Sequence, residues 1–214
     1  MCSRHDLVWL TAQGWEAALR CALPGQHAGF EQWRREDWPA VVRRTDAGLA
    51  PEIVSLGIPL PPAPDGVKGR IAFNAANGDV ARSSAPLALA AAVRAAPQRW
   101  RPALDHLSLG MPLRAYGSLA MQAITGEMYL SAASDIDLLF YPADAQALRD
   151  ALTLLERQAA VLPLDGEIVF PSGDAVAWKE WVGATRNQAR VLVKGAGAVR
   201  LATTSSLLAT LEAA

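Results

Sequence analysis

Hydrophobic and polar positions change rhythm near residue 85. Before it, short runs rich in Val, Ile and aromatic side chains fall between Gly and Pro residues, the punctuation of strands. Residues 6–10, 40–44, 51–60 and 67–74 fit that description. Pro59, Pro61, Pro62 and Pro64, followed by Asp65-Gly66, predict a rigid connection and then a turn. A helix is expected over 13–22, with Trp15, Leu19 and Ala22 on one face. Residues 1–85 therefore read as a small β-rich domain. Beyond them, Pro86 suits a first helical position behind Ser84 or Ala85, and the apolar stretch 87–96 predicts a helix that stops before Pro97. Strand and helix patterns then alternate: strand 113–117, helix 119–125, strand 136–141 ended by Pro142, and helix 143–158. In that last helix Ala147, Leu148, Ala151, Leu154 and Leu155 recur at helical spacing. Strands at 167–170 and 189–194 and a helix at 205–211, capped by Thr204 or Ser205, complete residues 86–214 as an α/β domain. The fold class expected is α+β to α/β, in two domains.

Composition narrows the function. The 214 residues are 51% hydrophobic and 19% charged, enough apolar material for real cores and too little charge for extended disorder. Twenty Lys+Arg against 21 Asp+Glu leave a net charge of -1, so neither nucleic acid nor an anionic membrane is an expected partner. The longest apolar run, residues 85–93, is too short to span a bilayer, and the start lacks a signal-peptide pattern. Cys2 and Cys21 form no zinc or disulfide pattern; Cys21 reads as a small buried residue and Cys2 as a frayed terminus. A cytoplasmic location is expected. All but three of the 20 basic residues are arginine, and alanine abounds, so a lone Arg is read as solvated surface.

Candidate chemistry concentrates between Ala115 and Phe140. A strand ends in Tyr116-Gly117-Ser118, a helix follows, and the next strand opens Ser134-Asp135-Ile136-Asp137-Leu138-Leu139-Phe140. Alternation puts Asp135 and Asp137 on one face, with Cα atoms roughly 6–7 Å apart. Two carboxylates about 4 Å apart at an effective dielectric of about 20 repel by about 4 kcal/mol. A divalent cation with oxygen ligands offsets that repulsion economically. Gly117 permits close backbone approach to a ligand, and the helix N-terminus behind it offers N–H groups to a phosphate, joined by the Ser118 hydroxyl. Together these are the minimal apparatus of phosphoryl or nucleotidyl transfer.

That order resembles the signature of the nucleotidyltransferase superfamily of the DNA polymerase β type, whose α/β domain carries a mixed sheet. The spacer from Leu119 to Ser134 is longer than is usual there. A closer resemblance is to the malonate decarboxylase holo-acyl-carrier-protein synthase family, the phosphoribosyl-dephospho-CoA transferases. Tyr116-Gly117-Ser118, Gln122, Thr125-Gly126, Tyr129-Leu130 and Ser134 to Leu139 carry it, with residues 164–171, 175–181, 4–10 and 191–194. Met121 stands where Trp is expected. The resemblance implies transfer of phosphoribosyl-dephospho-CoA from 2'-(5''-triphosphoribosyl)-3'-dephospho-CoA to a serine of the apo acyl carrier protein subunit of malonate decarboxylase, releasing pyrophosphate. It implies that Asp135 and Asp137 hold Mg2+, that Gly117 and Ser118 seat the outer phosphates beside Ser134, and that Asp165 or Glu167 supplies a third carboxylate.

Lys179, one of only three lysines, is read as a phosphate-neutralising residue with Arg186 behind it, and Lys194 is left even between surface and site. Arg43-Arg44 reads as a solvated pair, Trp178 and Trp181 as core, and Gly195-Ala196-Gly197 as a turn. Alternative readings keep the fold and change the substrate (an adenylyl or uridylyl transferase, or the citrate lyase counterpart), or reduce the site to a non-catalytic binding module.

Overall fold

The computed structural model describes residues 2–187 and 189–212, and the chain divides into two compact units, one ending at Pro86 and the other beginning at Leu87. The first unit contains β1 (Leu7–Leu10), α1 (Ala12–Cys21), α2 (His27–Arg35), β2 (Ala40–Val42), β3 (Ile53–Pro62), β4 (Lys68–Ala76) and β5 (Val80–Ser84). Its strands pair antiparallel in the order β4-β3-β2-β1-β5. Thr11 caps α1 by accepting from the Gly14 amide at 3.0 Å. Trp15, Phe30, Trp33, Leu56 and Ile58 are buried, and Phe30 stacks edge-on to both Trp15 and Phe73. Such aromatic contacts add about 0.5–1.5 kcal/mol each beyond the area they bury.

The second unit runs β6 (Leu87–Ala88), α3 (Leu89–Ala92), α4 (Arg101–Gly110), β7 (Arg114–Tyr116), α5 (Gly117–Thr125), β8 (Ile136–Phe140), α6 (Ala145–Gln158), β9 (Leu164–Val169), β10 (Ala175–Ala177), α7 (Trp178–Asn187), β11 (Arg190–Lys194), β12 (Val199–Thr203) and α8 (Thr204–Glu212). Its seven-stranded sheet is ordered β12-β11-β10-β9-β8-β7-β6. Only β8 and β9 pair parallel, joined through α6; the other ladders are antiparallel. One hydrophobic cluster gathers Ile136, Leu138 and Phe140 of β8, Ile168 of β9, Val191 and Val193 of β11, and the buried side chains of the helices. By alternation, the odd-numbered positions of β8 and β9 point to the opposite face. The protein is thus mixed α and β, with a β-rich first unit and a mixed sheet in the second, as the pattern predicts.

Several local expectations are corrected. The stretch 87–96 is not one helix: Leu87 and Ala88 first pair with Ala115 and Arg114, and the helix that follows lasts one turn. The prolines 59–62 lie inside β3, whose pairing with β4 shifts register there, and the turn that follows is centred on Pro64-Asp65, closed by the Gly66 amide donating to the Ala63 carbonyl. Cys21, at the end of α1, is exposed, and Cys2 is half-buried. On α1 the buried residues are Gly14, Trp15 and Ala18, with Leu19 only partly covered.

Candidate active site

Register builds the site. Asp137, the second residue of β8, pairs laterally with Tyr116 on one side and with Asp165 of β9 on the other. Laterally paired residues point the same way, so the two carboxylates share a face on strands about 4.8 Å apart. Asp135 stands one residue ahead of β8 and is exposed. A turn closed by serines delivers the chain there: the buried Ser134 hydroxyl accepts from the Ser131 amide at 2.9 Å.

Gly117 follows β7 and opens α5 with φ +64, a backbone conformation that L side chains rarely adopt. A Cβ on residue 117 would collide with the Asp137 carboxylate oxygen Oδ2. The glycine is therefore what lets the acid reach the start of α5. The first-turn amides of a helix have no partner within it and carry partial positive charge, which suits an anion held beside the acid. Ser118 lies in that first turn, half-buried.

Gly166 does similar work between the strands. Its φ is +135, and a Cβ there would fall on the Leu138 backbone, so β9 could not approach β8 with any other residue at this position. It separates Asp165, half-buried, from Glu167, which is 4% exposed. The two acids have different surroundings. Asp165 lies 3.9 Å from Lys179 Nζ, both side chains open to solvent, whereas Glu167 accepts from Lys194 Nζ at 2.8 Å.

The structure thus brings together Gly117, Asp137, Asp165 and Lys179, with Asp135 at the strand entry. Glu167, itself buried, is one pleat removed in a part-buried ion pair with Lys194, and Ser134 serves its turn. Arg186 bonds Glu156 of α6 at 2.6 Å, so its charge is neutralised away from the acids. Arg43 is forked onto Asp46 and also donates to the Leu56 carbonyl, a fixed group rather than a solvated one. Trp178 and Trp181 are core, and Gly195 opens the turn between β11 and β12. Sequence reading missed Gly166 and the clamp made by Gln122. That amide donates to the Ala95 carbonyl at 2.7 Å and accepts from the Tyr129 and Leu130 amides at 3.0 Å each.

Among the described residues, no three His, Cys, Asp or Glu side chains gather into a metal site of their own. The donor set still fits magnesium, which is commonly held by one or two carboxylates with substrate phosphates and water completing its shell. Asp137 and Asp165 offer that pair, beside the first-turn amides of α5 that suit an anion.

A half-buried acid pair, a glycine bend and a helix N-terminus on a mixed sheet are the parts of a group-transferring enzyme, and comparison with known proteins bears out a transferase. Residues 87–205 match the family model described as phosphoribosyl-dephospho-CoA transferase MdcG C-terminal domain, and residues 3–86 match the corresponding N-terminal domain. Similar proteins include the phosphoribosyl-dephospho-CoA transferase of Xanthomonas campestris pv. campestris (strain 8004), 41% identical over 211 residues and 94% of each chain. That of Xanthomonas euvesicatoria pv. vesicatoria (strain 85-10) is 38% identical across 100% of both chains. That of Bradyrhizobium diazoefficiens (strain JCM 10833 / BCRC 13528 / IAM 13628 / NBRC 14792 / USDA 110) is 35% identical over 83% of this chain and 80% of its own. The chain belongs to the phosphoribosyl-dephospho-CoA transferase family. No solved structure matches it. Among the described residues, no helix is long and apolar enough to cross a membrane.

Proposed function

We propose that the enzyme transfers phosphoribosyl-dephospho-CoA from 2'-(5''-triphosphoribosyl)-3'-dephospho-CoA to a serine of the apo acyl carrier protein subunit of malonate decarboxylase, with pyrophosphate as the leaving group. The observation that carries this reading is the lateral pairing of Asp137 with Asp165 beside the Gly117 bend. The family match supplies the transferred group. The second unit is read as a nucleotidyltransferase-like domain, and the reaction takes place in the cytoplasm.

In this reading the serine Oγ forms a bond to the innermost phosphorus of the triphosphate as the bond to the bridging oxygen of the outer two phosphates breaks. Asp137 and Asp165 would hold Mg2+, with Asp135 at the entry to the same strand; the ion, when bound, would neutralise charge on the triphosphate and on the departing pyrophosphate. Gly117 and the first turn of α5, with Ser118, orient the outer phosphates. Lys179 adds positive charge beside Asp165. Its contact with that acid is long and solvent-exposed, so it contributes little to stability and is available to a phosphate. In this reading Asp165 also accepts the serine proton, a step of general-base type.

The test is intact-mass spectrometry of the apo carrier subunit incubated with enzyme, Mg2+ and the triphosphoribosyl substrate. The expected result is a gain equal to phosphoribosyl-dephospho-CoA on one serine, lost with Asp137→Asn or Asp165→Asn while circular dichroism is unchanged. No gain with the native enzyme and active components overturns the reading. A gain only on the citrate lyase carrier moves the target, and label from ATP or UTP instead makes it a nucleotidyl transfer.

A further inference from the structure

β9 presents two carboxylates to one face, and each meets a lysine. Lys179 lies in the first turn of α7, just past the point where Ala177 of β10 pairs with Glu167, and its Nζ is 3.9 Å from Asp165. Lys194 starts a strand further away, on β11, opposite Ala175. Its stem crosses β10 to reach Glu167, and the two residues that β10 offers to this face are Ala175 and Ala177, too small to obstruct it. Three of the chain's 20 basic residues are lysine (Lys68 is the third), so the composition bias toward arginine is broken twice on this face.

The pair runs from interior to surface. The Glu167 side chain is 4% exposed and that of Lys194 38%. Burying a carboxylate is costly even with a partner, and an apolar pair of similar volume is often as stable or more so. Packing alone is therefore met more simply by leucine and methionine. An apolar pair cannot aim an ammonium. A lysine side chain carries about 2 kcal/mol of rotamer entropy; Glu167 fixes its head, taking one of its three N–H donors. Glu167, the residue it meets, is one pleat, about 7 Å, along β9 from Asp165.

We infer that Lys194 is a further substrate-binding residue, donating to a phosphate oxygen of the substrate alongside Asp137 and Asp165, and that Glu167 is its positioning residue and not a metal ligand. This rests on the transfer reading above. The phosphate belongs either to the triphosphate chain or to the diphosphate of the dephospho-CoA part, and the two differ in what they bind alone.

The variants are Lys194→Met and the double Glu167→Leu, Lys194→Met. Inorganic tripolyphosphate and dephospho-CoA are each titrated calorimetrically into native enzyme and variants with Mg2+, beside kcat, KM and melting temperature. Lys194→Met is expected to raise KM for the triphosphoribosyl substrate about tenfold, with kcat within about threefold, and to weaken one of the two fragments by a similar factor. The fragment affected identifies the phosphate. The double variant is expected to recover native melting temperature while keeping the raised KM. Should Lys194→Met not fold, the double variant carries the same test. Native KM in either variant overturns the inference, as does recovery of KM together with stability in the double. If native enzyme transfers nothing yet Lys194→Met still weakens a fragment, the transfer reading fails and the anion site stands.

Discussion

An oxygen of Asp137 lies in the space that a Cβ on residue 117 would occupy. Sequence neighbours of each residue explain why they meet. Tyr116 pairs with Asp137 across β7 and β8, and the next residue must turn at once into α5 through a positive φ. Only glycine meets both requirements, conformation and clearance.

Gly117→Ala is the direct check on that relationship. A left-handed alanine costs about 1–2 kcal/mol, and the methyl would displace the acid. Displacement of a catalytic group by about 1 Å can cost about 100-fold in rate. The expected outcome is a melting temperature lowered by a few degrees and a transfer rate lowered about 100-fold. A rate within a few-fold of native would show that the close approach of Gly117 and Asp137 is unimportant to the reaction.

Gly166→Ala tests a different function of glycine. Here the added atom meets backbone, the carbonyl and amide of Leu138, which no side-chain rotation relieves. The parallel pairing of β8 and β9 that aligns Asp137 with Asp165 depends on that contact. Strained backbone alone costs about 1–3 kcal/mol, and separating two central strands adds to it. Urea unfolding should show a loss above about 3 kcal/mol or no folded second unit at all. A variant as stable as native would mean that the strands can separate there at no cost.

How much of this was legible in the sequence depends on whether the determining contacts are local. Helix α6 was readable because Leu148, Ala151 and Leu155 repeat at helical spacing and are buried. Strand alternation also pointed to Asp137, whereas its lateral partner Asp165 comes from register with β9, which no local pattern reveals. Helix α2 was not readable: Phe30 and Trp33 are its only buried residues among glycine, histidine and arginine. Helix α4 escaped for a similar reason, as it buries only Leu104 and Leu107 behind a proline. β10 has three residues and no period to detect, and β12 shows polar and apolar residues that are mostly exposed. The difference between Asp165 and Glu167 was illegible because it is set by partners on other elements, Lys179 and Lys194. Lys194 left one signal, its rarity in an arginine-rich chain.

The Gln122 clamp predicts a stability effect with little direct effect on chemistry. Gln122→Ala removes one donor and one acceptor at once, leaving the Ala95 carbonyl and the amides of Tyr129 and Leu130 to find other partners. Leaving a buried polar group unmatched costs about 1–3 kcal/mol. The Tyr129 ring is buried here, and burial above all pushes its phenol well above the usual range, so it stays un-ionised. Chemical denaturation should give a loss of about 2–4 kcal/mol, with hydrogen exchange of the 129–130 amides accelerated by at least tenfold. Exchange rates unchanged in the variant would exclude the clamp.

In the first unit the Arg43–Asp46 fork predicts a pH response. Hydrogen bonding to Arg43, first, holds the Asp46 carboxyl below its ordinary value of 3.8, with Asn74 helping and burial opposing. Asp46 in turn raises the Arg43 guanidinium. A carboxyl whose folded value is depressed stabilises the fold above its unfolded value, and that contribution is lost as pH falls through the folded value. The group therefore contributes nothing to pH dependence near neutrality and destabilises the unit progressively below pH 3.8. Carbon-13 NMR should show the Asp46 carboxyl titrating below 3.8 in native protein and at 3.8 or above in Arg43→Met. Asp46→Asn should flatten the fall of melting temperature with acid in that range while leaving it unchanged near pH 7. A native Asp46 that titrates at its ordinary value would show that the fork does not persist in solution.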